Sequence, residues 1–322
     1  GHWRGVVGAQ YSDRDFTAVG EEAFVPPSVT ESWGLFLVEE AEFDRLRIEL
    51  GARFEDTDIR MDDGRSVNHS PFSASGGLIW HFDEDSHLSL NIGRAQRAPG
   101  AEELFSFGPH IATQGFEIGD PDLDTETAFT YEAGYRNHAG PFTVSLTVYY
   151  NDFDDFIYLA DTGEEEDELP VRLWSQQDAE FTGGELELRY DIGEHASGHW
   201  QLWGFYDTVD AELADGSNVP RIPPHRFGVG LDWDSERWLA AVSWISASSQ
   251  TEVADNETPT KGYNDVSFDL AYELPMAGTA AWELYLRGRN LLDEEIRIHP
   301  SFLKDQAPQV GRNFILGLRV SF

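Results

Sequence analysis

The chain has 322 residues, of which 40% are hydrophobic and 13% aromatic, and it carries a formal net charge of -37 from 22 basic and 59 acidic residues. Lysine occurs only at Lys261 and Lys304, so the cations that nucleic-acid binding requires are scarce and nucleic acid is excluded as a partner. Cysteine is absent, which removes disulfides and thiolate metal sites.

Mean hydropathy is -0.42 and no apolar run reaches the length of a membrane helix. That pattern does not exclude a transmembrane barrel, because lipid-facing and lumen-facing residues alternate along each strand and cancel in the average. The chain opens on Gly1-His2-Trp3-Arg4 without an initiator methionine or signal peptide. These residues already read as a strand, so a truncated chain is expected.

From there, alternation recurs along the chain. Leu46, Ile48, Leu50, Ala52 and Phe54 alternate with Arg47, Glu49, Gly51 and Arg53. Phe142, Val144, Leu146, Val148 and Tyr150 alternate with Thr143, Ser145, Thr147 and Tyr149. The same period of two runs through Phe227, Val229, Leu231 and Trp233, and through Trp282, Leu284 and Leu286. The last strand places Phe314, Leu316, Leu318, Val320 and Phe322 on one face, against Gly317, Arg319 and Ser321 on the other. Charged residues on the second face suit a wet lumen better than a dry core.

The connections alternate in length. Long ones are expected at 13–31, 57–70, 98–123, 161–170, 212–221, 251–261 and 295–307. Short ones are expected at 42–44, 83–85, 138–140, 193–196, 234–236 and 275–278. Short periplasmic turns opposite long extracellular loops are the rule for outer-membrane barrels, and the count comes to roughly fourteen antiparallel strands. With Phe322 at the periplasmic end, every long loop lies outside the cell. Most of the ten tryptophans fall in strands or near their ends, which fits interfacial girdles.

The segment from Gly93 to Glu126 is the richest in chemistry. His110 with Glu117, Asp120, Asp122 and Asp124 offers a mixed nitrogen and oxygen donor set suited to Zn²⁺. The competing reading is turn chemistry, with Asp120-Pro121-Asp122 shaping the loop. A calcium loop does not fit, because its glycine and terminal glutamate are out of register. His299, near Asp293, Glu294, Glu295 and Asp305, is a further ligand candidate, and His69 beside Asp62 and Asp63 a weaker one. His2, His138 and His195 read as structural. The acidic run from 164 to 168 reads as a solvated loop tip that also draws in cations. No nucleophile elbow, phosphate loop or zinc-protease motif occurs, so an enzyme is not expected.

Several linked motifs carry a family resemblance. They are Arg97-Ala98-Pro99 with Glu103-Leu104, Gly108 and Gly119-Asp120-Pro121, then Leu123 and Glu126, then Asn290-Leu291-Leu292-Asp293 and Gly311-Arg312-Asn313-Phe314. Together they resemble the TonB-dependent outer-membrane receptors over essentially the whole chain. Three stretches resemble the zinc-uptake branch: residues 11–16 with 20–27, Gly108-Pro109-His110-Ile111-Ala112-Thr113, and residues 299–305.

The resemblance implies a bacterial outer-membrane barrel of about 22 strands around a plug. Residues 1–322 would be its C-terminal portion, without the plug. The partners it implies are outer-membrane lipid, the TonB energy-coupling complex acting through the plug, and the barrel assembly machinery meeting the strand that ends in Phe322. The ligand it implies is a metal ion or metal complex, zinc in the branch resembled, and no resident cofactor. That branch carries histidine-rich loops, whereas the 10 histidines here are scattered among acidic ones. The alternative reading is a passive, cation-preferring pore.

Overall fold

The computed structural model describes residues 2–20, 23–275 and 280–322. Strands β1 (His2–Phe16), β2 (Ser28–Phe43), β3 (Leu46–Met61), β4 (Ser66–His69), β5 (Phe72–His81) and β6 (Ser86–Arg97) come first. A short helix, α1 (Ala101–Phe105), then precedes β7 (Phe107–His110) and β8 (Gly115–Ile118). The remainder is β9 (Glu126–Asn137), β10 (Phe142–Glu166), β11 (Leu169–His195), β12 (Gly198–Leu213), β13 (Arg226–Asp234), β14 (Trp238–Ala247), β15 (Tyr263–Leu274), β16 (Ala281–Arg289) and β17 (Asn313–Ser321).

Three of the 17 strands, β4, β7 and β8, belong to connections, and the other fourteen form one continuous antiparallel wall. Each wall strand pairs with the next in sequence, from β1–β2 through β3–β5 and β6–β9 to β16–β17. Among the described residues no ladder joins β1 to β17, so the wall is an arc with two free edges.

Register fixes the two faces of that wall. Leu35 meets Phe54, Leu78 meets Leu90, Ala133 meets Val148, Leu146 meets Leu186, Val229 meets Trp244, and Leu286 meets Leu316. These side chains stand exposed or half-exposed in one band that crosses every strand, which is a lipid-facing surface. The opposite face carries Glu132, Thr147, Glu185, Asp207, Asp269 and Arg319. Two charged residues interrupt the apolar face: Glu39, which pairs with Leu50, and Arg94, which pairs with Ala74.

Tryptophan marks the level of the short turns. Trp3, Trp80, Trp200, Trp233, Trp238 and Trp282 all lie within a few residues of that end. Trp200 and Trp233 face each other across a ladder at 5.8 Å, and Trp238 lies 4.5 Å from Tyr272. Trp203 turns inward and lies across Gly230, and Trp174 packs among the loops, so neither joins a girdle.

One expected connection is absent. Residues 161–170 continue the β10–β11 ladder, with Asp161 opposite Arg172 and Glu165 opposite Pro170. The reversal needs only Asp167 and Glu168, both at positive φ (52° and 65°), as a two-residue hairpin turn requires. The acidic run expected as a loop tip is therefore largely strand, although its side chains are exposed. Of the turn expected at 275–278, residues 276–278 lie outside the described residues, as do Glu21 and Glu22 of the motif at 20–27.

The packed core sits at the long-loop end. Ile59, Met61, Leu104, Phe105, Leu123 and Ile157 form one buried cluster, and Ala179, Leu213 and Val219 another. A wall with lipid on one side and water on the other has no interior of its own, so the packed hydrophobic clusters form where the connections fold over the mouth.

Candidate metal centre

The connection from β6 to β9 is built on Arg97. Its guanidinium donates to Glu103 (2.7 Å) and Glu126 (3.1 Å), clamping the two ends of the segment together. Glu103 also accepts the Gly100 backbone N–H at 2.6 Å, which starts α1 as a capping contact does. Leu104 and Phe105 then enter the first buried cluster. Gly119 crosses directly over this turn. A Cβ there would stand 2.6 Å from the backbone of Leu104 and Phe105, so only glycine fits.

β7 and β8 form a hairpin that pairs Gly108 with Glu117 and His110 with Gly115. β8 also docks in parallel on β11 through residues 171–173, fixing the hairpin to the wall. This brings His110 Nδ1 to 2.9 Å from Glu117 Oε1, and Thr113 Oγ1 donates to the same oxygen at 2.6 Å. Glu117 is fully buried, and its Oε2 has no hydrogen-bond partner. The Phe24 ring stacks on the imidazole, with centroids 4.2 Å apart. Glu102 Oε1, from α1, lies 4.0 Å from His110 Nδ1.

The ligand atoms of Glu102, His110 and Glu117 all fall within 4.8 Å of one another. Burial, then the Glu117 charge, pushes the Glu102 carboxyl up, with His110 and Arg14 pulling it partly back. A divalent cation would relieve that repulsion and satisfy the orphaned Glu117 oxygen. Three such ligands leave a fourth tetrahedral position open. Glu102 also lines a cavity of ≈ 600 Å³ on the lumen side, together with Arg14, Arg53, Glu55, Arg97 and Glu103.

Of the ligand candidates read from the sequence, His110 and Glu117 come together, whereas Asp120 and His299 lie elsewhere. Asp120 accepts the Asp122 N–H at 2.9 Å, the turn role that was its competing reading. His299 is buried at a different junction. Its Nδ1 lies 3.0 Å from Thr260 Oγ1 and its Nε2 3.2 Å from Glu257 Oε1, which Lys304 Nζ also reaches at 2.9 Å. Glu257 Oε2 accepts the backbone N–H of Arg221 (3.1 Å) and Ala254 (3.2 Å). Burial raises the Glu257 pKa, but the close approach of His299, the bonds from Lys304 and Arg221 and the Lys304 charge overcome it and hold the carboxyl at about 2. His69 meets Thr125 Oγ1 at 3.1 Å rather than Asp62 or Asp63, and burial lowers its pKa. Sequence spacing gives no reason to single out Glu102, one of two adjacent acidic residues that the structure places in the first turn of α1.

Residues 1–291 match the family model described as TonB dependent receptor-like, beta-barrel. The chain belongs to this receptor family. Among curated proteins, the barrel is 24% identical over 310 residues to the iron-regulated outer membrane virulence protein of Vibrio cholerae serotype O1, covering 90% of this chain and 44% of that protein. Among solved structures, the copper transporter OprC superposes with a TM-score of 0.77 at 18% identity, covering 90% of this chain and 47% of that one. The FrpB iron transporter from Neisseria meningitidis gives 0.73 at 16% identity, covering 98% and 53%. The ferric citrate transporter FecA gives 0.68 at 20% identity, covering 99% and 50%. The receptor barrel thus spans about half the length of the proteins it matches, and its place is the outer membrane of a Gram-negative bacterium.

Proposed function

We propose that the chain forms much of the wall and extracellular mouth of a TonB-dependent receptor that imports a metal ion or metal complex, and that Zn²⁺ is captured at Glu102, His110 and Glu117. The observation that carries the reading is the buried, unpartnered Glu117 Oε2 beside His110 Nδ1, in a loop anchored over the lumen. Imidazole with carboxylates is a donor set zinc accepts. Sharing Glu102 between the triad and the lumen cavity gives a captured ion a way inward. The names of the iron and copper transporters it matches in fold support metal cargo. The TonB complex, acting through a plug, would supply the energy, and the assembly machinery would engage β17 and Phe322.

A passive pore made by these strands alone is disfavoured. It needs β1 to pair with β17, and free strand edges are costly in lipid. Further strands of a larger barrel would cover both edges.

The test is uptake of radiolabelled zinc by cells expressing the full-length receptor under zinc limitation. Glu117→Gln should cut uptake severely while the barrel still assembles, and loss of the coupling complex should abolish it. Uptake equal to wild type in both cases overturns the reading.

A further inference from the structure

A pair of metal-ligating side chains faces the lumen at its opposite, periplasmic end. His81 closes β5 and His87 stands near the start of β6, directly opposite each other above the short turn at 82–85. Trp80 and Leu88, the next pair in that ladder, lie on the lipid-facing side, so the two histidines lie on the lumen side. Both are half-buried. Their ring centroids are 5.4 Å apart and the rings are tilted by 47°, so they are not stacked on one another. Six of the other histidines have a ring nitrogen on a neighbouring side chain, as His138 has on Thr143 at 2.7 Å. Neither His81 nor His87 makes a side-chain hydrogen bond or ion pair among the described residues, so their ring nitrogens stand open.

The spacing suits a shared ion. Two imidazoles on one tetrahedral ion, with metal–nitrogen bonds of about 2.1 Å, hold their ring centres about 5 Å apart. Both residues belong to a continuous ladder, so only rotation of the rings is needed to aim one nitrogen from each at a common point. Imidazole donors favour zinc or copper over calcium or magnesium. The surrounding charge sets how tightly such an ion is held. Arg136 of β9 stands opposite His87 on the other side and opposes a cation. Arg45 donates to the Phe82 carbonyl at 2.9 Å, close to His81. Asp83, Glu84 and Asp85 of the turn offset these two guanidinium groups. With two neutral donors, against one imidazole and two carboxylates in the outer triad, the pair binds a dication more weakly and releases it more readily. One strand links the two sites: β6 climbs from His87 to Arg97, at the root of the loop that carries the triad, a rise of roughly 33 Å.

We propose that His81 and His87 form a two-imidazole site for a zinc- or copper-like dication at the periplasmic mouth of the lumen, where an imported ion rests before release. The site stands on the pair itself; its place at the end of transport rests on the metal-uptake reading above.

Cu²⁺ titration of the full-length receptor in detergent, read by electron paramagnetic resonance, tests the site in a Glu117→Gln background that removes the outer triad. A Cu²⁺ ion coupled to two nitrogens should bind, and His81→Ala or His87→Ala should abolish that signal and lower the number of bound ions by one. His138→Ala should leave it intact, because that ring is already held by Thr143. If His81→Ala does not assemble, His87→Gln carries the same expectation. An unchanged signal in the assembled variants, or equal loss in His138→Ala, overturns the site. Uptake of radiolabelled zinc with Glu117 intact tests the role: the pair variants should hold as much zinc at the cell surface as wild type and accumulate less inside. Wild-type accumulation overturns the release role while the copper signal keeps the site. If the wild-type receptor takes up no zinc yet the signal depends on His81 and His87, the site stands and the uptake reading falls.

Discussion

Replacing Glu257 with glutamine should loosen the loop cap and leave the wall intact. Glu257 joins three connections: its own between β14 and β15, the β12–β13 loop through Arg221, and the β16–β17 loop through Lys304 and His299. Its carboxyl falls from an ordinary 4.5 to about 2. That difference corresponds to about 3 kcal/mol of stabilisation. The sign follows from the depressed pKa: the contribution is complete above about pH 4.5 and is lost as pH falls towards 2. About 2 kcal/mol of it should be gone by pH 3. The assay is amide hydrogen exchange by mass spectrometry on the full-length receptor in bilayers, following the Arg221 and Ala254 N–H groups that Glu257 accepts. In Glu257→Gln these should exchange roughly a hundredfold faster at pH 7, with strand amides unchanged. The gap from wild type should narrow to less than about tenfold as pH falls to 3. Exchange within about threefold of wild type at pH 7, or a gap still near a hundredfold at pH 3, refutes the reasoning.

Three further outcomes are expected. Leu90→Arg, on the apolar face, should cost about 2–4 kcal/mol in urea unfolding from liposomes, and the lumen-facing Thr147→Arg, beside Glu185, under about 1 kcal/mol. Equal costs would mean the two faces are misassigned. Gly119→Ala should destabilise the β6–β9 connection by about 1–3 kcal/mol, because its methyl group meets backbone rather than a movable side chain, and proteolysis within that loop should accelerate. For Zn²⁺ itself, His110→Ala should lower affinity at least about tenfold, whereas Asp120→Asn, which keeps the turn hydrogen bond, should leave a titration unchanged.

The wall was legible in the sequence because each of its strands carries its own signal. A period of two needs no knowledge of the partner strand, and the spacing of turns supplies order and count. The mouth was less legible because its contacts are long-range. Among its sequence neighbours His299 has Asp293, Glu294, Glu295 and Asp305, yet the carboxylate it meets is Glu257, from the preceding long connection. Glu102 and Glu117 approach only because the β7–β8 hairpin folds back over α1, which depends on the close passage at Gly119. The run from 164 to 168 shows a different limit. Five acidic residues look like a solvated loop, but exposure on both faces of a projecting ladder satisfies charge equally well.

The β10–β11 ladder has a mechanical consequence. A transmembrane strand needs about 9–11 residues, and these strands have 25 and 27, so the hairpin stands well clear of the bilayer as a ribbon interrupted by bulges at 153–156 and 161–165. Its hydrogen bonds lie perpendicular to the strands. A load on the hairpin directed towards the membrane therefore pulls along the ribbon, loading many of those bonds together in shear instead of peeling them apart singly. The hairpin can resist a steady tug that would unravel an irregular loop of the same length.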